Sequence, residues 1–189
     1  MNIITKLYTS SKTVFTTKDL ALIWNENQRG KLNAKIFYYV KNKALVKLAR
    51  GIFAKNRDYN LYELATSIYQ PSYISFETVL RETGIIFQHY DTVFVASNWS
   101  KNLAIDNHTF AFRKLKDEVL YNNAGIINHE NYSIASAERA FLDILYLFPN
   151  YYFDNLRPIN FPVCFELVSI YNNKRLAKRL KNYGKNYVK

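Results

Sequence analysis

Residues 15–54 read FTTKDLALIWNENQRGKLNAKIFYYVKNKALVKLARGIFA, and the fold class turns on this stretch. Leu20, Ile23 and Trp24 recur at i, i+3 and i+4, the spacing of one buried helical face. Thr16 or Thr17 can cap that helix, and Asp19 falls in its first turn, where negative charge meets the positive end of the helix dipole. Asn25 to Gly30 is polar and ends in glycine, which predicts a turn. A second helix is expected from about Lys31 to Lys43, with Leu32, Ile36, Tyr39 and Val40 in one inward stripe. Leu45 to Ala54 alternates apolar residues on both sides of Arg50-Gly51, which predicts a short hairpin. Helix, turn, helix and hairpin in that order make a winged helix-turn-helix, whose second helix lies in the DNA major groove.

That second helix carries the chemistry for the task. Lys31, Lys35, Tyr38 and Asn42 fall on a flank about 120° from the inward stripe, by 3.6-residue geometry. Lysine suits phosphates or guanine, asparagine suits adenine, and tyrosine suits a phosphate or the thymine methyl. Arg50, at the hairpin tip, is where a wing would reach the minor groove or a phosphate. Thr17, Lys18, Gln28, Arg29, Asn33 and Lys47 complete the candidate DNA-binding set. The bland alternatives are a solvated helix face and a structural hairpin with a solvated arginine.

Charge distribution favours the DNA reading. Residues 1–57 hold twelve Lys/Arg against Asp19 and Glu26, a net +10. Residues 58–160 hold seven bases against twelve acids, and residues 161–189 seven bases against Glu166 alone. A uniform coding bias toward Lys and Asn would not leave the middle acidic and both ends basic. The asymmetry points to an N-terminal surface that meets a polyanion.

Composition excludes several classes. An apolar fraction of 49% with 22% charge is globular rather than disordered. One cysteine, Cys164, rules out an internal disulfide or a cysteine-rich zinc module, and its run FPVCFELV predicts a buried small hydrophobe. No signal peptide and no apolar stretch of membrane-spanning length is evident, so a cytoplasmic protein with no membrane association is expected.

Upstream, residues 2–9 predict a short helix through Ile3, Ile4 and Leu7, and Val14-Phe15 a strand. Asn56 to Tyr59 reads as a linker, which places a DNA-binding domain at 1–57 and a second domain at 58–189. The second domain opens with a helix over 61–69. Ser75 then caps another, with Thr78 at the capping-box position, ended by Gly84. Strands are expected over 85–89, 92–97 and 109–115, and short strands or turns at 123–127 and 132–135. Ser136 caps a helix to about Leu147, with Ala140, Phe141, Ile144 and Leu147 inward. An irregular segment with Pro149, Pro158 and Pro162 precedes an apolar helix over 163–171 and a basic helix from Asn172 that frays into a tail. The fold class is α+β: a winged helix-turn-helix followed by a mixed α/β domain.

Three separated stretches together resemble the AbiEi family of antitoxins from type IV (AbiE) toxin–antitoxin systems. They are the winged module ending in LVKLARGIFA, the block PSYISFETVLRETGII, and the block IASAERAFLDILYL, in which Ala137 stands where the family has proline. The resemblance implies a winged helix that represses the system's own promoter, on inverted repeats, and a C-terminal antitoxin domain that counters a nucleotidyltransferase-like toxin. It implies that neutralisation needs no stable toxin complex and leaves direct contact with the toxin open. Within the second domain, Glu77, Arg81, Glu138 and Arg139 lie in the two family blocks, while Lys174, Lys178 and Lys181 share one side of the basic C-terminal helix. Caps and salt bridges that tie helices together are the competing explanation for Glu77 and the Glu138-Arg139 pair; a solvated face is that for the lysines. A monomer or weak dimer, cooperative on DNA, would suit symmetric operators.

Catalytic machinery is not legible. His89, His108 and His129 lack i, i+4 pairing and a carboxylate at ligand spacing. There is no Gly-x-Ser-x-Gly and no glycine-rich phosphate loop among five glycines. The strand around Phe112-Arg113-Lys114 lacks the acids of a restriction-type nuclease, and Asp117-Glu118 and Asp143 read as solvated or capping acids. No enzyme, cofactor or metal is expected. The alternative to the antitoxin is a stand-alone winged-helix regulator whose second domain senses a ligand or dimerises.

Overall fold

A computed structural model describes residues 3–185. Asn2 of the expected first helix and the end of the expected basic tail lie outside the described residues. The chain is α+β and divides into two compact units, Met1–Ile68 and Tyr69–Lys189.

The first unit runs α1 (Ile3–Thr9), β1 (Val14–Thr16), α2 (Thr17–Trp24), α3 (Arg29–Lys41), β2 (Val46–Ala49), β3 (Ile52–Ala54) and α4 (Leu61–Ile68). Its three strands are ordered β1-β3-β2 and pair antiparallel. Up to β3, this is the element order and sheet order of a winged helix-turn-helix. Thr16 caps α2: its hydroxyl accepts from the Asp19 N–H, while the Asp19 carboxylate accepts from the Thr16 N–H at 2.8 Å. Asn25, in the left-handed region at φ 48°, ends the helix. Leu20 and Trp24 of α2, Leu32 and Ile36 of α3, and Leu7, Phe15, Leu45 and Phe53 close one core, with Ile23, Tyr39 and Val40 packed at its margin. Helix α3 starts earlier than its sequence suggests and takes Gly30 into its first turn.

The boundary between units lies after α4 rather than at 57/58. Glu63 is the physical reason. Its carboxylate is buried and accepts from the Thr13 N–H at 2.7 Å, the Thr13 hydroxyl at 2.6 Å and the Val14 N–H at 3.0 Å. These bonds tie α4 to the entry of β1, so α4 belongs to the winged unit.

The second unit is β4 (Ser72–Ile74), α5 (Glu77–Glu82), β5 (Thr92–Ser97), β6 (Lys101–Ile105), β7 (His108–Lys114), α6 (Asp117–Leu120), β8 (Ile126–Asn128), β9 (Ser133–Ala135), α7 (Ala137–Leu147), α8 (Phe161–Leu167) and α9 (Lys174–Gly184). A 3-10 turn, Val168–Tyr171, follows α8 directly. The strands form one mixed sheet, β6-β7-β5-β4-β9-β8, parallel at β5/β7 and β4/β9 and antiparallel elsewhere. Ser136 caps α7 as its sequence predicts.

Two expectations fail here, and the elements β4, β6 and α6 were not expected. Residues 85–89 form no strand: after Gly84 (φ 71°) the Ile85 carbonyl accepts from the Asp154 and Asn155 N–H groups, and the Phe87 N–H donates to the Asp154 carboxylate. Strand β6 was not expected, because KNLAI is an edge strand without a strong apolar alternation. Ser75 does not cap α5; Phe76, at φ 57°, holds that position without a side-chain bond. The Ser75 hydroxyl instead donates to Asp143, and the Thr78 hydroxyl accepts from the Phe94 N–H at 2.8 Å.

Candidate nucleic-acid interface

Helix α3 and the β2–β3 wing face one another across a groove of about 550 Å³. From α3, Arg29, Asn33 and Phe37 line it at i, i+4 and i+8; Thr17, Lys47 and Arg50 line it from the other side. The wing is set by Gly51, whose φ of 77° a side chain would strain. Its carbonyl accepts from the Thr17 N–H at 2.9 Å and the Thr17 hydroxyl at 3.3 Å, so the start of α2 anchors the wing. Five of the eleven sequence-derived candidates, Thr17, Arg29, Asn33, Lys47 and Arg50, therefore meet on one concavity.

The other six are placed differently. Lys18 and Lys31 are exposed. Gln28 is the N-cap of α3 with no side-chain cap bond. Lys35 is half-buried in an ion pair with Glu26 at 2.7 Å, and that bond holds the Glu26 carboxyl below its ordinary range. Tyr38 is 60% exposed and lies edge-on to Tyr39 at 5.3 Å. Asn42 lies beyond the last turn as C-cap. The flank of Lys31, Lys35, Tyr38 and Asn42 is thus not one free reading face, because Glu26 takes the Lys35 charge and the helix ends before Asn42. Phe37 was missed. It is 69% exposed, and its signal was an aromatic outside the inward stripe.

Of the candidates in the second unit, Glu77 and Arg139 are buried, Arg81 and Glu138 are partly buried, and the three lysines are exposed. Glu77 is buried and receives both terminal nitrogens of Arg113, at 2.5 and 2.8 Å. The Arg113 guanidinium also sits over the rings of Phe76, Phe94 and Phe148 at 5.0, 4.4 and 4.8 Å. Arg81 donates to the Tyr90 carbonyl at 3.0 Å, and Glu138 accepts from the Asn160 N–H at 3.2 Å. Arg139 is fully buried and donates to the Val119 and Ala124 carbonyls at 2.6 and 2.7 Å and to the Tyr73 hydroxyl at 3.1 Å. Lys174, Lys178 and Lys181 are exposed on α9, whose opposite side buries Leu176 and Leu180.

Asp143 is neither solvated nor a cap. Fully buried, it accepts from Tyr171 at 2.6 Å, Ser75 at 2.8 Å and Tyr73 at 3.0 Å, beside Arg139 at 3.4 Å. Burial pushes its carboxyl up despite the Arg139 charge, and pushes the Tyr73 and Tyr171 phenols well up, so both remain donors. Tyr73 and Ser75 belong to the PSYISFETVLRETGII block, Arg139 and Asp143 to the IASAERAFLDILYL block. Two of the three stretches that carry the family resemblance are therefore joined by one polar cluster. Cys164 is buried as expected, its thiol pushed up by burial to about 12. His89 does meet a carboxylate, Asp91 at 3.1 Å, on the exposed surface. No helix among the described residues is long and apolar enough to cross a membrane.

Compared with known proteins, the sequence matches no family model and no curated protein. Its fold is similar to the crystal structure of the RV2827C protein from Mycobacterium tuberculosis. The TM-score is 0.56 at 11% identity, over 95% of this chain and 74% of that one. At that identity the likeness concerns the fold alone.

Proposed function

We propose that this chain is an AbiEi-like antitoxin and autorepressor of a type IV toxin–antitoxin system. In this reading the winged unit binds the system's promoter in the cytoplasm, and the second unit counters a nucleotidyltransferase-like toxin. One observation carries the DNA half: Arg29 and Asn33 of α3 and Lys47 and Arg50 of the wing that follows it converge on one groove. Redrawn at the observed boundary, that unit still holds twelve bases against four acids, and one of those acids, Glu63, is buried and bonded inward. Helix α3 enters the major groove, and Arg50 on the wing reaches a flanking phosphate or the minor groove. The antitoxin half rests on the resemblance and on the joining of its two blocks by Tyr73, Ser75, Arg139 and Asp143.

The test is titration of the full chain against the duplex upstream of its own reading frame. Affinity should fall with salt at a log–log slope of about −0.9 per phosphate neutralised. Arg29→Ala and Arg50→Ala should each weaken binding by about 1–3 kcal/mol if they reach bases. Lys35→Ala should do less, since Glu26 already holds that charge. A folded Arg29→Ala/Arg50→Ala double variant that binds like the wild type refutes the choice of surface. Co-expression with a neighbouring nucleotidyltransferase-like toxin tests the second half. Failure to relieve its toxicity leaves a stand-alone regulator.

A further inference from the structure

The residues that α3 presents outward are not of one chemistry. Cations stand at the margins of the exposed arc: Arg29 and Lys31 in the first turn, Lys41 at the helix end, and Lys47 and Arg50 across the groove, while Lys35 is held by Glu26. Its middle is occupied instead by Asn33, Ala34, Phe37 and Tyr38, all exposed. The helix carries no acid at all.

Each of those facts has a meaning in base recognition. Asparagine pairs through two hydrogen bonds with adenine N6 and N7, while alanine and phenylalanine make apolar contact with the thymine methyl. Carboxylates, which accept from cytosine N4, are missing from the helix. The marginal cations are suited to phosphates, which position a helix but carry no sequence information directly.

We infer that α3 reads A·T base pairs in the major groove, with Asn33 on adenine and Phe37 against the thymine methyl, and with cations confined to the backbone. This rests on the DNA-binding reading above, and it names the class of sequence that the same site selects.

The experiment uses the full chain and a duplex pool with a randomised central segment. The wild type should enrich a motif with adjacent A·T pairs at its centre. Replacing the motif's thymines one at a time by uracil removes a single methyl, and at one position this should weaken binding by about threefold to fivefold. Phe37→Ala should weaken thymine-containing sites and abolish the uracil effect at that position, the coupling expected of two groups in contact. Asn33→Ala should relax selectivity at the neighbouring adenine. Thermal unfolding checks that each variant is folded. Enrichment of a G·C-centred motif overturns the inference, as does binding without base preference or an undiminished uracil effect in Phe37→Ala. Those results leave DNA binding itself standing. Failure to retain any duplex at low salt overturns the DNA-binding reading and this one together.

Discussion

Replacing Glu63 by alanine tests where the winged unit ends. The carboxylate accepts three hydrogen bonds, two from the backbone N–H groups of Thr13 and Val14 and one from the Thr13 hydroxyl. Val14 is fully buried, so its orphaned N–H has no route to water. A buried group left without its partner costs about 1–3 kcal/mol. With Thr13 able to recover part of its bonding from solvent, we expect a total loss of about 3–5 kcal/mol. A domain of this length has roughly 3–10 kcal/mol in all, at about 0.05–0.15 kcal/mol per residue. The substitution therefore removes a large share of the unit's stability. Urea denaturation followed by tryptophan fluorescence can read it, because Trp24 reports on the first unit and Trp99 on the second. The Trp24 transition should move to markedly lower denaturant. Glu63→Gln, which keeps an acceptor oxygen, should lose much less. An unchanged Trp24 transition in Glu63→Ala would refute the assignment of α4 to the winged unit.

Other substitutions probe the remaining interior. Asp143→Ala leaves Arg139 as an uncompensated buried charge and should destabilise the second unit by about 3–5 kcal/mol, measured as a fall in its unfolding midpoint. Burial favours the neutral form of Asp19, but the Lys12 and Thr16 bonds outweigh it and hold the carboxyl below its ordinary value. A lowered acid stabilises above its unfolded pKa of about 3.9, and the contribution disappears as pH falls through the folded value. Asp19→Asn should thus lose about 1 kcal/mol near neutral pH, and pH-dependent unfolding should show the difference from wild type vanishing in acid. Gly51→Ala should cost about 1–2 kcal/mol, from a positive φ and a new Cβ 3.3 Å from the Thr17 hydroxyl, and should weaken DNA binding beyond what the stability loss explains.

Much of the first unit was legible. The i, i+3, i+4 spacing of Leu20, Ile23 and Trp24, the Thr16 cap and the Arg50-Gly51 turn are local signals, and each lies where the sequence puts it. What failed was long-range. Nothing near Glu63 announces that Thr13 and Val14 will donate to it from across the unit, so the domain boundary was placed too early. Ser75 looks like a cap in sequence, yet a buried aspartate elsewhere outbids the helix end for its hydroxyl. Strand β6 left a trace in Asp106-Asn107, both at positive φ, which is the residue chemistry of a tight hairpin turn. For the site, charge and helical spacing pointed to α3 and the wing, and five of the residues they named line the groove between them. They could not show that Glu26 would occupy Lys35, nor that Phe37 would stand at the groove.

The polar cluster around Asp143 also sets an order of events during synthesis. The Glu63 bonds that close the winged unit need only the first 68 residues, so that unit has all its partners early. The second unit is different. Asp143 draws its donors from Tyr73 and Ser75 behind it and from Tyr171 ahead of it. Until Tyr171 has left the ribosome, the carboxylate lacks one of its three hydroxyl donors while the winged unit already stands complete. A chain of this kind acquires its two halves in succession, the N-terminal one first.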